Sequence, residues 1–401
     1  MEYQKYITPK KELSEKFHCF IEKEDNLDEN YQNLISFINS ENYQANSNEF
    51  KLILHMINRI SNNHHRYPTF FDKIENFFSS FSEYIKQNFT NLKLFNIFQN
   101  NKKILHLLFQ NNLITVDESI AKLIIKKDER RHFFVRYFSS NNTNLANESR
   151  SYFNRKQQAY KNTVYYFFPE IKSFLDEEKR REIEEQILIH GENIFDLFEC
   201  NRQIGENDSY ICKLIREDSI KEFCMYVNKN NLPLSIEIPD SIFETNQFLL
   251  KKRSSLIEYS AFFGSIQIFQ YLRLNGVELT PSLWLYAIHG KNSEIIHLLE
   301  EDHIKPEDES YFECLKESIK CHHNDIANYI LLNLMQKGDF RNENYFENNQ
   351  YACGFHYHNY MFIQNSTNFR FIFYYACLYD YFEIVKLLIK TNQIDISYKV
   401  I

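Results

Sequence analysis

The chain has seven glycines in 401 residues, and no two of them stand closer than twelve positions. Proline is equally scarce, again with seven. Both numbers are roughly a quarter to a third of average usage. Sheets built from many short strands consume glycine and proline in their turns, so this scarcity favours helices. It also removes whole classes of chemistry. A dinucleotide fingerprint, a phosphate loop, a kinase glycine-rich loop and a nucleophile elbow each need glycines two to five positions apart, where backbone must approach phosphate or take a strained turn. Gly191, Gly205, Gly264, Gly276, Gly290, Gly338 and Gly354 supply no such spacing.

A hydrophobic fraction of 43% and a charged fraction of 25% allow a sizeable core, with aromatics at 16% (37 Phe and 27 Tyr, but one Trp). The formal net charge is −8, which argues against a concentrated basic face and so against nucleic acid as partner. Residues 1–10 lack the apolar core of a signal peptide, and no run of eighteen apolar residues occurs. A cytoplasmic protein with no membrane partner is the expectation. The eight cysteines are scattered without a CxxC pair, which fits reduced thiols better than a disulfide framework.

Residues 11–138 read as helices separated by Asn-rich turns, an N-terminal helical domain spanning 1–138. Leu52, Ile53, Met56, Ile57 and Ile60 recur at three and four, as do Phe77, Phe78, Phe81, Tyr84 and Ile85. Ile104, Leu107 and Leu108 do the same before the stop signal Asn111-Asn112. The polar run Ser139 to Ser151 marks a linker, placed at 139–165, and 166–250 reads as a helical lead-in. Within it, Asp176 before Arg180 and Glu177 before Arg181 describe a solvated helix face.

From about Ser254 the chain repeats itself. The stretch Ser255–Gly276 holds the small pair Ser260-Ala261, then Phe262-Phe263-Gly264, then Ile268, Phe269, Tyr271 and Leu272. Ser282–His303 places Ala287 and then Ile295, Ile296, Leu298 and Leu299 at matching positions. Glu313–Met335 repeats the pattern with Ser318, Ile326, Ala327, Tyr329 and Ile330, and Phe371–Asn392 with Ala376-Cys377 and Glu383 to Leu388. This pattern resembles the ankyrin repeat, whose consensus runs Thr-Pro-Leu-His-x-Ala-Ala, two residues, Gly-His, then Val-Val-x-Leu-Leu and a closing Gly. The small pair lets neighbouring helices approach, Gly permits the turn between helices, and the aliphatic positions fill the core between stacked repeats. Leu272, Leu299, Ile330 and Leu388 are spaced by 27, 31 and 58 residues, the last gap taken as an insertion at about 336–368. The Thr-Pro step is absent, and Lys291, His322 and Asp380 replace the turn Gly that survives at Gly264. From Lys213 onward the chain resembles the expanded ankyrin proteins of trichomonad protists, which carry a domain of unknown function built from such repeats; Leu214–Val227 reads as a further half-repeat.

The fold expected is therefore all-α: a helical N-terminal region followed by a degenerate ankyrin-repeat solenoid over 251–401. What the resemblance implies is a non-catalytic adaptor or scaffold that binds another protein on the concave face. Carried over by position, the exposed inner-helix residues would be Phe262, Phe263, His289-Gly290, Lys320-Cys321, Leu378 and Tyr379. An aromatic pair such as Phe262-Phe263 is an anchor for a partner or else filler against a neighbouring repeat. The last repeat is apolar (Ile384, Val385, Leu387, Leu388, Ile389), so the short tail after Asn392 caps it, another chain covers it by self-association, or the gene model is cut short.

Two other readings compete. Cys353, His356 and His358, with Cys321-His322-His323 one repeat earlier, are zinc-ligand types, though the spacing matches no named finger, and the plainer reading is a repeat turn followed by an aromatic-rich loop. A hydrolase or thiol enzyme in the N-terminal half would need a Cys or Ser with a His partner at a cleft. Cys200, Cys212 and Cys224 lie among apolar helical residues and read as core thiols, His64-His65 reads as loop, and Glu300-Glu301 as a helix end. No catalytic residue, metal ligand or cofactor is assigned on the sequence.

Overall fold

The three- and four-residue periodicity becomes helix after helix. The computed structural model describes residues 2–23, 25–129, 163–188, 194–335, 343–363 and 368–394. Among these residues there is no β-strand, only an isolated bridge between Glu237 and Ser255. No described helix is long and apolar enough to cross a membrane. The expected linker at 139–165 lies outside the described residues except for 163–165.

The chain forms two units whose composition differs from the sequence-based division. One comprises Met1–Ser80, Ala261–Ile266 and Leu279–Ile401; the other comprises Phe81–Ser260 and Gln267–Glu278. The expected N-terminal domain over 1–138 is therefore split. Its first eighty residues share a unit with the C-terminal third, and the rest does not.

In the first unit the chain begins with α1 (Glu2–Glu22), α2 (Leu27–Ser40), α3 (Ser47–Asn63) and α4 (Phe70–Ser80). Helix α1 runs through Pro9 and buries Tyr3, Ile7, Leu13, Phe17, Phe20 and Ile21 at helical spacing. Helix α3 is started by Asn46, whose side chain accepts from Asn48 N at 2.9 Å, a cap that contributes about 1 kcal/mol. All five aliphatic positions read from its sequence, Leu52 to Ile60, are buried.

The second unit holds α5 (Ser82–Asn88), α6 (Asn91–Phe98), α7 (Lys102–Gln110), α8 (Glu118–Glu129), α9 (Phe168–Ile171), α10 (Glu177–Leu188), α11 (Ile194–Ile204), α12 (Tyr210–Arg216) and α13 (Ile220–Lys229). Phe81 ends the helix that the sequence ran on to Ile85, so α4 and α5 are separate. Helix α7 stops where Asn111-Asn112 said it should, with Asn112 at φ 51°. Helices α12 and α13 form the pair read as a half-repeat. They turn at Asp218 (φ 48°), whose carboxylate accepts from Gln267 N and Ile268 N, both at 3.0 Å.

Helices α14 (Leu256–Phe263) and α15 (Ile266–Leu274) straddle the boundary between the units. Then come three elements of paired helices: α16 (Leu283–Gly290) with α17 (Ser293–Glu301), α18 (Phe312–Cys321) with α19 (Asn324–Tyr329), and α20 (Glu343–Tyr357) with a 3-10 turn at Tyr360–Phe362. A last pair follows, α21 (Phe369–Leu378) with α22 (Phe382–Lys390). The described part of the supposed insertion at 336–368 is thus largely helical. Its helix α20 packs against α18 before it and α21 after it, so the 58-residue gap holds another layer rather than a loop.

Each of these pairs turns on a residue in the left-handed region: Gly264 (φ 69°), Lys291 (50°), His322 (59°), His358 (55°) and Asp380 (63°). A non-glycine residue there costs about 1 kcal/mol. The next residue offsets it by reaching back to the preceding layer. Asn292 Nδ2 donates to Gly264 O at 3.0 Å, Asn359 Nδ2 to Ile319 O at 3.0 Å, and the Tyr381 hydroxyl to Phe355 O at 3.0 Å. His323 Nδ1 bonds Ile288 O at 2.7 Å. A buried hydrogen bond contributes about 1 kcal/mol, so the strain and the stitch nearly balance. Behind four of the five turns sits a fully buried small residue in the first helix, namely Ala261, Ala287, Ser318 and Ala376. Gly290 is held tighter still, since a Cβ on it would lie 2.0 Å from Ala261 O.

Candidate functional site

The first helices of successive pairs present the positions that sequence reasoning assigned to a partner. The chain's own N-terminal helices already pack on this array, α3 on a first helix and α1 on a second helix and a turn. Helix α3 packs on α18, and α1 packs on α22 and on the Tyr360–Phe362 turn. The Tyr3 hydroxyl donates to Ile363 O at 3.0 Å, and Lys10 pairs with Glu49 at 2.8 Å beneath Tyr6, whose hydroxyl donates to the same carboxylate at 2.6 Å.

The residues following α3 reach the turns. His64 Nδ1 bonds Cys321 O at 2.8 Å, and His65 N donates to His323 Nε2 at 3.3 Å. With Nδ1–H given to Ile288 O and Nε2 accepting, His323 is a neutral imidazole. Burial holds its pKa well below the ordinary value, assisted by repulsion from His64. Glu22, at the end of α1, pairs with Lys291 at 2.7 Å and His64 at 3.0 Å. Burial acts to raise the Glu22 pKa, but these two partners outweigh it and bring it down to about 2. The supposed loop residues His64-His65 are therefore a tether.

The exposed inner face expected at Phe262, Phe263, His289 and Lys320 is corrected by this packing. Phe262 is 5% exposed and stacks on His289 at 4.9 Å, while His289 is 1% exposed. Phe263 is half-buried against Phe262. Lys320 lies under its ion pair to Glu317, with 13% of its side chain exposed. The physical reason is occupancy: Asn63 O receives the His289 Nδ1–H at 3.1 Å, where a partner would have to sit. At the last pair the face is open. Leu378 is 54% exposed, with Tyr374 and Phe382 near it in exposure at 48% and 53%, and Tyr379 stacks half-buried on His356 at 4.9 Å.

Cys353, His356 and His358 do not gather. His358 Nδ1 bonds the Tyr381 hydroxyl at 2.8 Å, His356 is sandwiched by Tyr357 and Tyr379, and burial pushes the Cys353 thiol up to about 11. His322 and His323 turn away from Cys321 to Tyr357 O and Ile288 O. Among the described residues, the ligand atoms that do converge are those of His289, Glu317 and Cys321, all within 4.8 Å of one another. Sequence reasoning missed Glu317. Its signal was the four-residue step to Cys321 on one helix face, with a His one repeat earlier.

In the second unit, Arg202 (1% exposed) lies between Glu170 and Glu199, and its Nη2 donates to His106 Nδ1 at 3.0 Å. Every charge in this group faces an opposite one, which is how a buried arginine is tolerated. Of the cysteines read as core thiols, Cys212 is buried with its thiol pushed up to about 12 by burial, Cys224 is half-buried and Cys200 is exposed. No family model, curated protein or solved structure matches the chain.

Proposed function

We propose that the chain is a non-catalytic protein-interaction module, an adaptor or scaffold of the cytoplasm, whose C-terminal helix pairs are degenerate ankyrin-type repeats. The repeat reading is supported by the left-handed turn residue recurring at Gly264, Lys291, His322, His358 and Asp380, and by the stitch from the following residue to the layer before. Cytoplasmic placement is favoured by eight free cysteines spread over the chain. The net charge of −8 disfavours nucleic acid as the ligand.

The observation that carries the interaction role is what the repeat face already does. It receives helices of the same chain, α1 and α3, through a mixture of buried aromatics and ion pairs such as Glu22–Lys291 and Lys51–Asp380. At its last pair, where Tyr374, Leu378 and Phe382 are exposed, the same kind of surface is open to a partner protein that offers a helix with an apolar face. The test is affinity capture from lysate with quantitative mass spectrometry, run on the wild type, Leu378→Asp and Phe263→Asp. Circular dichroism checks that all three are equally helical. A protein lost with Leu378→Asp supports the reading and names the partner. Identical captures from folded wild type and Leu378→Asp overturn it.

A further inference from the structure

We infer that the half-buried guanidinium of Arg59, on α3, is the centre of a binding site for an oxyanion of the phosphate-monoester class, completed by the ends of α20 and α21. The site is separate from the interaction role read at Leu378 and does not depend on it.

The argument begins with a cation that the chain does not answer. The Arg59 side chain makes no hydrogen bond or ion pair among the described residues, and its Nε is buried with no acceptor. The groups that act on its charge are the phenols of Tyr357, Tyr381 and Tyr379, and none is a carboxylate. The cations near it are already matched: Lys51, two turns earlier on α3, lies 3.9 Å from Asp380, and Lys320 is bonded to Glu317. One positive charge is left over, in a chain whose net charge is −8. Charges taken out of water are ordinarily paired. Arg202 in the second unit shows that arrangement, with Glu170 and Glu199 both bonded to it.

Around Arg59 stand further donors that are also uncommitted. Its Cζ lies 5.8 Å from the centre of the Tyr357 ring. His55 precedes it by one turn on α3. From Tyr357 an aromatic column continues, stacked on His356 at 4.3 Å and from there on Tyr379 at 4.9 Å. His55, His356, Tyr357 and Tyr379 are half-buried and all feel the charge of Arg59. Among the described residues their imidazoles and hydroxyls make no hydrogen bond.

This donor set suits phosphate better than carboxylate. A guanidinium offers five N–H donors in a planar fork, and the phenols and imidazoles add O–H and N–H groups beside it. A carboxylate has two oxygens to receive them. A phosphate monoester has three at its free end and nearly two negative charges at neutral pH, and its bonds to arginine are charge-assisted. Tyr379 directly follows the exposed Leu378, so a phosphorylated side chain of a partner protein and a small phosphate ester are both sources of the same group.

The test is isothermal titration calorimetry of the full-length protein with O-phosphotyrosine, O-phosphoserine, glycerol phosphate and acetate. The expected result is one equivalent of phosphate monoester bound, with acetate at least tenfold weaker. Arg59→Met keeps the length of the side chain without its donors and should weaken binding at least tenfold, and Tyr357→Phe several-fold. Preference for a phospho-amino acid over glycerol phosphate assigns a phosphorylated protein side chain as the source, and the reverse preference a small ester. No saturable heat from any phosphate up to about 10 mM overturns the site. So does acetate binding as tightly as phosphate, or equal affinity in wild type and Arg59→Met. Should Arg59→Met lose its helicity, Tyr357→Phe and Tyr379→Phe decide: affinity unchanged in both overturns the site.

Discussion

Acid should open the first unit well before it reaches ordinary carboxylates. His18, His55 and His356 are each held at a pKa of about 4, against 6.5 in an unfolded chain, with burial the main cause. The charges facing them reinforce this: His64, His322 and Lys291 near His18, partly opposed by Glu22; Lys51, Arg59 and His358 near His55; Arg59 and Lys320 near His356. Between pH 6.5 and 4 the unfolded state binds a proton at each site and the folded state does not, so stability falls as pH falls through this window. At pH 5 each histidine withdraws about 2 kcal/mol relative to neutrality. Three together withdraw about 6 kcal/mol, comparable with the whole net stability of many domains. Glu22, at about 2, stays ionised at pH 5 and gives nothing back. Trp284 makes the assay specific. It is the chain's one tryptophan, 1% exposed, in the first unit, with its indole N–H on Ile304 O at 2.7 Å. Urea titrations followed by its fluorescence should show a midpoint falling steeply from pH 7 to 5, and His55→Gln should flatten that slope by about a third. A stability that changes by less than about 1 kcal/mol over the same range would refute the reasoning.

Other perturbations have distinct expected outcomes. Gly290→Ala places a Cβ 2.0 Å from Ala261 O, backbone that cannot swing aside, and should cost about 3 kcal/mol or more in thermal or urea melts. Phe262→Ala should lose about 3 kcal/mol by the same measurement, as for a buried aromatic, whereas Leu378→Asp should stay within about 0.5 kcal/mol of wild type. Lys291→Met leaves Glu22 with His64 alone and should destabilise by about 2 kcal/mol. Adding Glu22→Gln to it should cost less than the sum of the two single changes, which a double-mutant cycle reads directly.

Much of the helical plan could be read because its causes are local. The apolar step of α3, the Asn111-Asn112 stop and the substitution of the turn glycine by Lys291, His322 and Asp380 each depend on a few neighbouring residues. His358 plays the same turn role and escaped notice because its helix, α20, lacks the aliphatic signature of the others; its buried residues include Cys353, Gly354 and Phe355. Amphipathic faces announce that something must cover them, not what does. Nothing in Tyr3, Ile7 or Phe17 names α22, and so the pairing of residues 1–80 with 279–401 was invisible. That one omission misplaced the exposed face at Phe262 and His289. It also hid the meeting of His289 with Glu317, which the stacking of α16 on α18 brings together from 28 residues apart.

The seating of α1 and α3 has a consequence for how the protein comes into being. These helices leave the ribosome before the surfaces they rest on, which begin at Leu279, about 200 residues later. At 5–20 residues per second, the segment waits roughly 10–40 s with Ile7, Phe17, Ile57 and Ile60 short of part of their cover. Loop closure over such a distance is slow, and greasy helices left waiting are what chaperones recognise. A circularly permuted gene that starts at Leu279 would let the scaffold precede its occupants, and should fold faster and yield more soluble product from the same residues.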